Sequence, residues 1–396
     1  MKIDYSKVMD KVKFWKRAIE TAKDFTGTSP PSVFVGRYGY PKVYVGVLAP
    51  PLQQEQSAAA MLDSPERWYE RQASIEQILN FRGQMIYSRF VSPVKNASGR
   101  LVETTKELAM VKKPTDIEVQ LKKQPKFKMT FDTWATPIGN PAQVTNVQFT
   151  ENPSIERKVD YIVSDTDAKA HDATLELYKY GIPVSRIQKI FSAGLLGVHI
   201  QRKFVPTKWS ITSVDSILSS QLIDHLKDYQ ELGEFRLFSN TYLGNHFEIL
   251  LIPGPWRFEV IEAMVPESAY QKIRFYSDWE NYWGRKTYAS SVAGGYYAVR
   301  MAVTEYLDKI KRQAGCLVLR EIDSQTYYAP LGVWVVRQTS RGAFENESDC
   351  LRFSSLDRAL DTAFNRLRIK RENWIMESSL LKELRQQKRV REFLPH

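Results

Sequence analysis

Asp160, Asp165, Asp167, His171 and Asp172 form the densest acidic cluster of the sequence, and it includes an imidazole. Asp167 and His171 are four apart, so a helix beginning near Thr166 would place both on one face. Carboxylates joined by one imidazole can hold a divalent cation for phosphodiester hydrolysis. The same residues suit a helix start, where Asp165 or Asp167 accepts from unpaired backbone amides and offsets the positive end of the dipole. Capping is the favoured role, with Asp165, Asp167 and His171 kept as catalytic candidates. Glu259 and Glu262 are the other acid-base or metal-ligand candidates, upstream of the aromatic stretch Asp278 to Tyr288. In that stretch Arg285 and Lys286 can contact a phosphate, helped by backbone N–H groups near Gly294 and Gly295 at a helix start. Trp279, Tyr282, Trp283, Tyr296 and Tyr297 can stack on unpaired bases, although rings at strand-helix junctions more often belong to a core.

A third constellation, Gly36-Arg37-Tyr38-Gly39-Tyr40-Pro41-Lys42, sets two cations around two aromatic rings in a glycine-rich turn. Glycine allows close backbone approach of a ligand, and the same composition also serves twist and packing in a hairpin. The fourth lies at the C-terminal end. Gln387, Val390, Phe393 and Leu394 have the spacing of a sliding-clamp-binding peptide. One helical turn gathers Val390, Phe393 and Leu394 into an apolar plug, while Gln387 offers an amide to a polar pocket. The competing reading is a terminal helix packing these side chains on its own domain. There is no Walker A loop, no Ser-His-Asp signature and no metal-binding His pair, so no reaction is legible, and neither a cofactor nor a metal is expected.

Composition narrows the partner. The 396 residues carry a net charge of +11, with 43% hydrophobic and 12% aromatic content, as in packed globular chains. The first fifty residues hold nine basic against four acidic side chains, and so does the stretch from Asn365 onward, so the two ends hold most of the excess. Such ends either solvate helix faces or track a phosphate backbone. Only Cys316 and Cys350 are present, which excludes a disulfide framework and a Cys-only zinc site. Lys2, Asp4 and Lys7 interrupt any secretory leader, and no apolar run approaches the roughly 18 residues of a membrane helix. A cytoplasmic protein without a membrane partner is expected.

The elements that must position these residues alternate in type. Val8, Val12, Trp15, Ile19 and Ala22 recur at helical spacing, so a helix is expected from Tyr5 to Phe25, ending at Gly27. Two β-rich runs follow around the turn at 36–42. A helix opens at Ser64-Pro65, a short one lies near Thr104 to Val111, and a strand near Ile117 to Leu121. Thr130 to Pro153 reads as loop with short strands. Helices are expected from Ala168 to Tyr180, Ser185 to Phe191 and Ser213 to Tyr229. Phe235 to Val265 reads as antiparallel strands around Pro253-Gly254-Pro255. A helix after Gly294-Gly295, strands at Cys316 to Glu321 and Val333 to Arg337, and helices over 355–368 and from Glu372 toward the tail complete a mixed α+β class.

The runs from Ser29 to Lys42, from Val205 to Asp215 and from Gly294 to Arg300, with Pro330-Leu331-Gly332-Val333-Trp334, together resemble the archaeal Nre family of DNA repair proteins. The resemblance spans nearly the whole chain, in order. It implies a role in DNA damage repair and binding to the clamp PCNA through a C-terminal peptide, here Gln387, Val390, Phe393 and Leu394. It also implies a long N-terminal region over 1–275, a shorter C-terminal region over 276–384 and a clamp-binding tail over 385–396. Lys208, in the second run, joins Arg37, Lys42, Arg285 and Lys286 as a candidate nucleic-acid contact. Many members begin with a cysteine-rich, zinc-finger-like segment, whereas this sequence has no cysteine before Cys316, so a zinc-dependent DNA contact is not expected. The tail carries Val390 and Leu394 where larger apolar residues would bury more area, which predicts weaker clamp affinity. The reading is a nucleoid-associated DNA repair factor that binds DNA and is recruited to PCNA. The alternatives are a DNA-processing enzyme, either a metal-dependent nuclease or a base-excision activity, and an RNA-binding protein with a fortuitous tail motif.

Overall fold

In the computed structural model, residues 5–268 and 271–386 are described, so Gln387, Val390, Phe393 and Leu394 lie outside the described residues. Two compact units contain residues 1–218 with 328–335, and residues 219–327 with 336–396. Each unit is built on its own six-stranded sheet, and the class is α+β.

In the first unit the strands are β1 (Asp24–Ser29), β2 (Val33–Val35), β3 (Lys42–Ala49), β4 (Ile86–Pro93), β5 (Thr115–Leu121) and β6 (Asn140–Phe149). Their order is β1-β5-β6-β4-β3-β2, antiparallel throughout except for the β4–β6 pair. Val43, Val45, Val47, Leu48 and Ala49 of β3 are all buried, as a strand covered on both faces requires. The N-terminal helix is shorter than its periodicity suggests. It ends at Thr21, and the segment that reads as its last turn becomes β1, paired with β5.

The 130–153 segment holds the ten-residue strand β6 instead of short strands in a loop. Its alternation is masked because the β5 register shifts between Gln120 and Leu121, which pair with Asn146 and Val144 and leave Thr145 unpaired.

In the second unit the strands are β7 (Phe235–Tyr242), β8 (Asn245–Ile252), β9 (Arg257–Met264), β10 (Phe275–Glu280), β11 (Gly315–Ile322) and β12 (Leu351–Phe353). The order is β10-β9-β11-β8-β7-β12. β7 and β8 pair antiparallel, and β8 and β9 run in opposite directions around Pro253-Gly254-Pro255 as expected, but β8 and β9 are not neighbours. β11 inserts between them, antiparallel to β8 and parallel to β9, after a crossover through the helix Gly294–Ile310. A central strand buried on both faces explains the unbroken apolar run Cys316-Leu317-Val318-Leu319. Val333 to Arg337 lies in the helix Val333–Gly342, not in a strand; a short apolar run does not distinguish the two by period alone.

Candidate nucleic-acid interface

Two distant segments of the first unit converge because one apolar cluster anchors both. Val35, Val43 and Val45 flank the 36–42 turn, and they pack in the same buried cluster as Val94, Val102 and Phe204. Full burial of a ring such as Phe204 contributes about 2–3 kcal/mol. Phe204 N–H donates to the Val94 carbonyl at 2.9 Å, and Val35 N–H donates to Thr207 Oγ1 at 3.0 Å. These bonds fix the turn beside the first residues of the helix Thr207–Leu226. The helix begins six residues before the expected start at Ser213, since Trp209 and Ser210 N–H groups already donate to the Pro206 carbonyl. Lys208 is thereby placed in a first helical turn, where a cation meets the positive end of the dipole.

The turn is closed by Lys42 N–H donating to the Gly39 carbonyl at 2.9 Å, and it includes a cis Tyr40–Pro41 peptide. Gly39 has φ +85°, and a Cβ there would stand 2.7 Å from the Lys42 carbonyl oxygen, so only glycine suits the position. Lys42 is exposed at the start of β3.

Above this base the cations and rings are distributed unevenly. Arg37 Nη2 donates to the Tyr38 hydroxyl at 3.1 Å and lies 3.5 Å from Asp132 Oδ2. Arg37 Nη1 is a buried atom with no hydrogen-bond partner. Lys208 Nζ sits 4.1 Å over the Trp134 ring, and Asp132 Oδ1 accepts the Trp134 N–H at 2.8 Å. Burial first, and then the Arg37 guanidinium, push the Lys208 ammonium below a lysine's usual value, with Asp132 opposing them. Arg37 pairs with this carboxylate while Lys208 feels it only at longer range, which leaves a local excess of positive charge. Tyr40 and Trp209 touch, with centroids 5.2 Å apart and planes tilted by 58°. Tyr38, Tyr40 and Trp209 are 78%, 45% and 42% exposed.

Arg285 has a different setting in the second unit. Its guanidinium lies 3.1 Å from the buried Asp278 carboxylate and donates to the carbonyls of Trp279, Thr287 and Tyr288. Asp278 also accepts the Val292 N–H at 2.7 Å. The loop after β10 is therefore tied back onto its own strand. Tyr296 and Tyr297 are buried, whereas Trp283 is 85% exposed and Lys286 is exposed. Near the start of the 294–310 helix the neighbouring acid is internal: a Cβ on Gly295 would stand 3.6 Å from Glu262 Oε2.

Most of the acidic candidates have partners that account for them, and Asp167 precedes the helix Ala170–Lys179 and so does not share a helical face with His171. Glu262 pairs with Arg320. Glu259 accepts from Ser378 Oγ and from the Ser379 and Leu380 N–H groups, so it caps the helix Ser379–Gln386. Burial dominates and raises its carboxyl above the usual range despite these bonds. Asp165 Oδ1 accepts from the Asp167 and Ala168 N–H groups, and His171 Nδ1 contacts its neighbour Asp172 at 2.9 Å. Asp165, Asp167 and His171 are all exposed. Among the described residues no group of three or more His, Cys, Asp or Glu side chains is placed to hold a metal ion. No helix among them is long and apolar enough to cross a membrane.

Of the five nucleic-acid candidates, the structure brings Arg37 and Lys208 together around Asp132. Asp132 and Trp134, which complete the cluster, lie in the segment that reads as loop, where no spacing marks them; Trp209 was marked only by its place in a longer motif.

Two family models cover the chain, the archaeal Nre N-terminal model over residues 2–271 and the archaeal Nre C-terminal model over residues 280–393. The DNA repair protein NreB of Archaeoglobus fulgidus is 38% identical over 378 residues, covering 93% of this chain and 92% of that one. NreA of the same organism, also called a DNA repair protein, is 37% identical over 91% of this chain and 89% of its own length. DNA repair protein NreA of Haloferax volcanii is 35% identical over 81% of this chain and 78% of its own length. No solved structure matches the chain.

Proposed function

This chain belongs to the archaeal Nre family, and from that premise we propose that it is a DNA repair protein that holds DNA on the Arg37–Lys208 surface and docks on the clamp PCNA. Its relatives' names support the repair role. The observation that carries DNA binding is the convergence of Arg37, paired with Asp132, and Lys208, held over Trp134, from segments far apart in sequence and beside exposed rings. Phosphate contacts supply the sequence-independent part of DNA affinity, and this surface offers them with looser internal pairing than that which occupies Arg285.

Clamp docking is assigned to Gln387, Val390, Phe393 and Leu394. A weak peptide contact adds to a weak DNA contact through effective concentration, so neither needs to be tight. Calorimetric titration of the purified protein with its cognate clamp tests the tail. Binding by the parent and its loss in a Gln387→Ala/Phe393→Ala variant is the expected result. Absence of binding by the parent would remove recruitment and leave the DNA surface to stand alone.

A further inference from the structure

We propose that the Arg37–Lys208 surface takes an unpaired DNA strand, with a phosphate on the two cations and a base stacked on the Tyr40–Trp209 pair; this rests on the DNA-binding reading and specifies its substrate. The exposed rings are the reason. In duplex DNA the base faces are already stacked on one another, and a protein meets phosphates and groove edges. Exposed aromatic faces beside cations instead match a strand whose bases are free, because every base offers a π-face to a ring.

Tyr40 and Trp209 already touch at 5.2 Å, so a base adds to the pair from outside and does not slip between its members. Arg37, a partly exposed guanidinium only loosely paired with Asp132 at 3.5 Å, offers charge and hydrogen bonds to a phosphate oxygen. Lys208 offers a second charge from the first turn of its helix. Asp132 holds Arg37 at 3.5 Å and the Trp134 ring holds Lys208, so one carboxylate faces two cations.

The test is fluorescence anisotropy of the full chain with a labelled single-stranded oligonucleotide, competed by unlabelled single strand, duplex and RNA of the same sequence at matched salt. The expected outcome is competition by single-stranded DNA at about tenfold lower concentration than by duplex. Trp209→Ala then weakens single-strand binding by about tenfold and leaves duplex binding nearly unchanged, while Trp209→Phe restores it. Tyr38→Ala, at a more exposed position, is a second probe that spares the helix. Equal affinity for single strand and duplex, insensitive to Trp209, overturns the unpaired-strand inference and leaves DNA binding intact. No binding to either form overturns both. Preference for RNA overturns the assignment to DNA.

Discussion

The turn at 36–42 and the loop at 278–288 are written in nearly the same residues, arginine and lysine among tyrosine, tryptophan and glycine, yet the fold uses them in opposite ways. In the loop, Arg285 spends its donors on Asp278 and three carbonyls, so that although Trp283 and Tyr288 are exposed the cation beside them is already satisfied, and Tyr296 and Tyr297 below are buried. In the turn, Arg37 has one carboxylate at 3.5 Å and the Tyr38 hydroxyl, and one buried donor without a partner among the described residues, while Tyr38, Tyr40 and Trp209 are exposed. A cationic, aromatic composition therefore does not identify a binding surface. What distinguishes the two is whether the protein itself satisfies the charge.

That contrast breaks first on stability. Arg285→Ala leaves the buried Asp278 without its cation and is expected to cost about 3 kcal/mol, whereas Arg37→Ala, at a partly exposed pair, should stay within about 1 kcal/mol. Urea unfolding of the two variants checks this, and equal losses would erase the distinction. A smaller effect sharpens it in binding. For a single strand, the slope of log affinity against log salt should flatten by about 0.7 in an Arg37→Ala/Lys208→Ala variant, as expected for one phosphate no longer neutralised. The smallest effect concerns Lys208 itself. Its lowered value means that DNA binding weakens at a pH below that at which an ordinary lysine discharges. Arg37→Gln removes a neighbouring positive charge and should move that weakening to higher pH, read from affinity across an alkaline pH series.

Much of the architecture could be read from periodicity, including the helices around 170–180 and 185–191 and the strands at 117–121 and 316–321. The losses have local causes. Asp24 to Ser29 pairs as an edge strand because β5 lies beside it, a long-range fact that no local pattern carries. The helix at 207 begins six residues before the expected start at Ser213, although the buried Ile211 already stands in the repeat of Val214 and Leu218; Pro206 and the polar residues at 207, 208 and 210 obscure its first turn. The cations Arg37 and Lys208 were legible as candidates, but their meeting was not, because it depends on Phe204 joining the valines of β2 and β3 in one cluster.

The most direct test of the account is anisotropy of a labelled single-stranded oligonucleotide with three proteins: the parent, Arg37→Glu/Lys208→Glu, and Lys286→Glu, each with its folding verified by circular dichroism. Reversal of the first pair is expected to lower affinity by more than about tenfold, while Lys286→Glu, in the internally tied loop, stays within about twofold of the parent. Retained affinity in the first variant together with loss in the second would overturn the assignment and move the interface to the loop after β10.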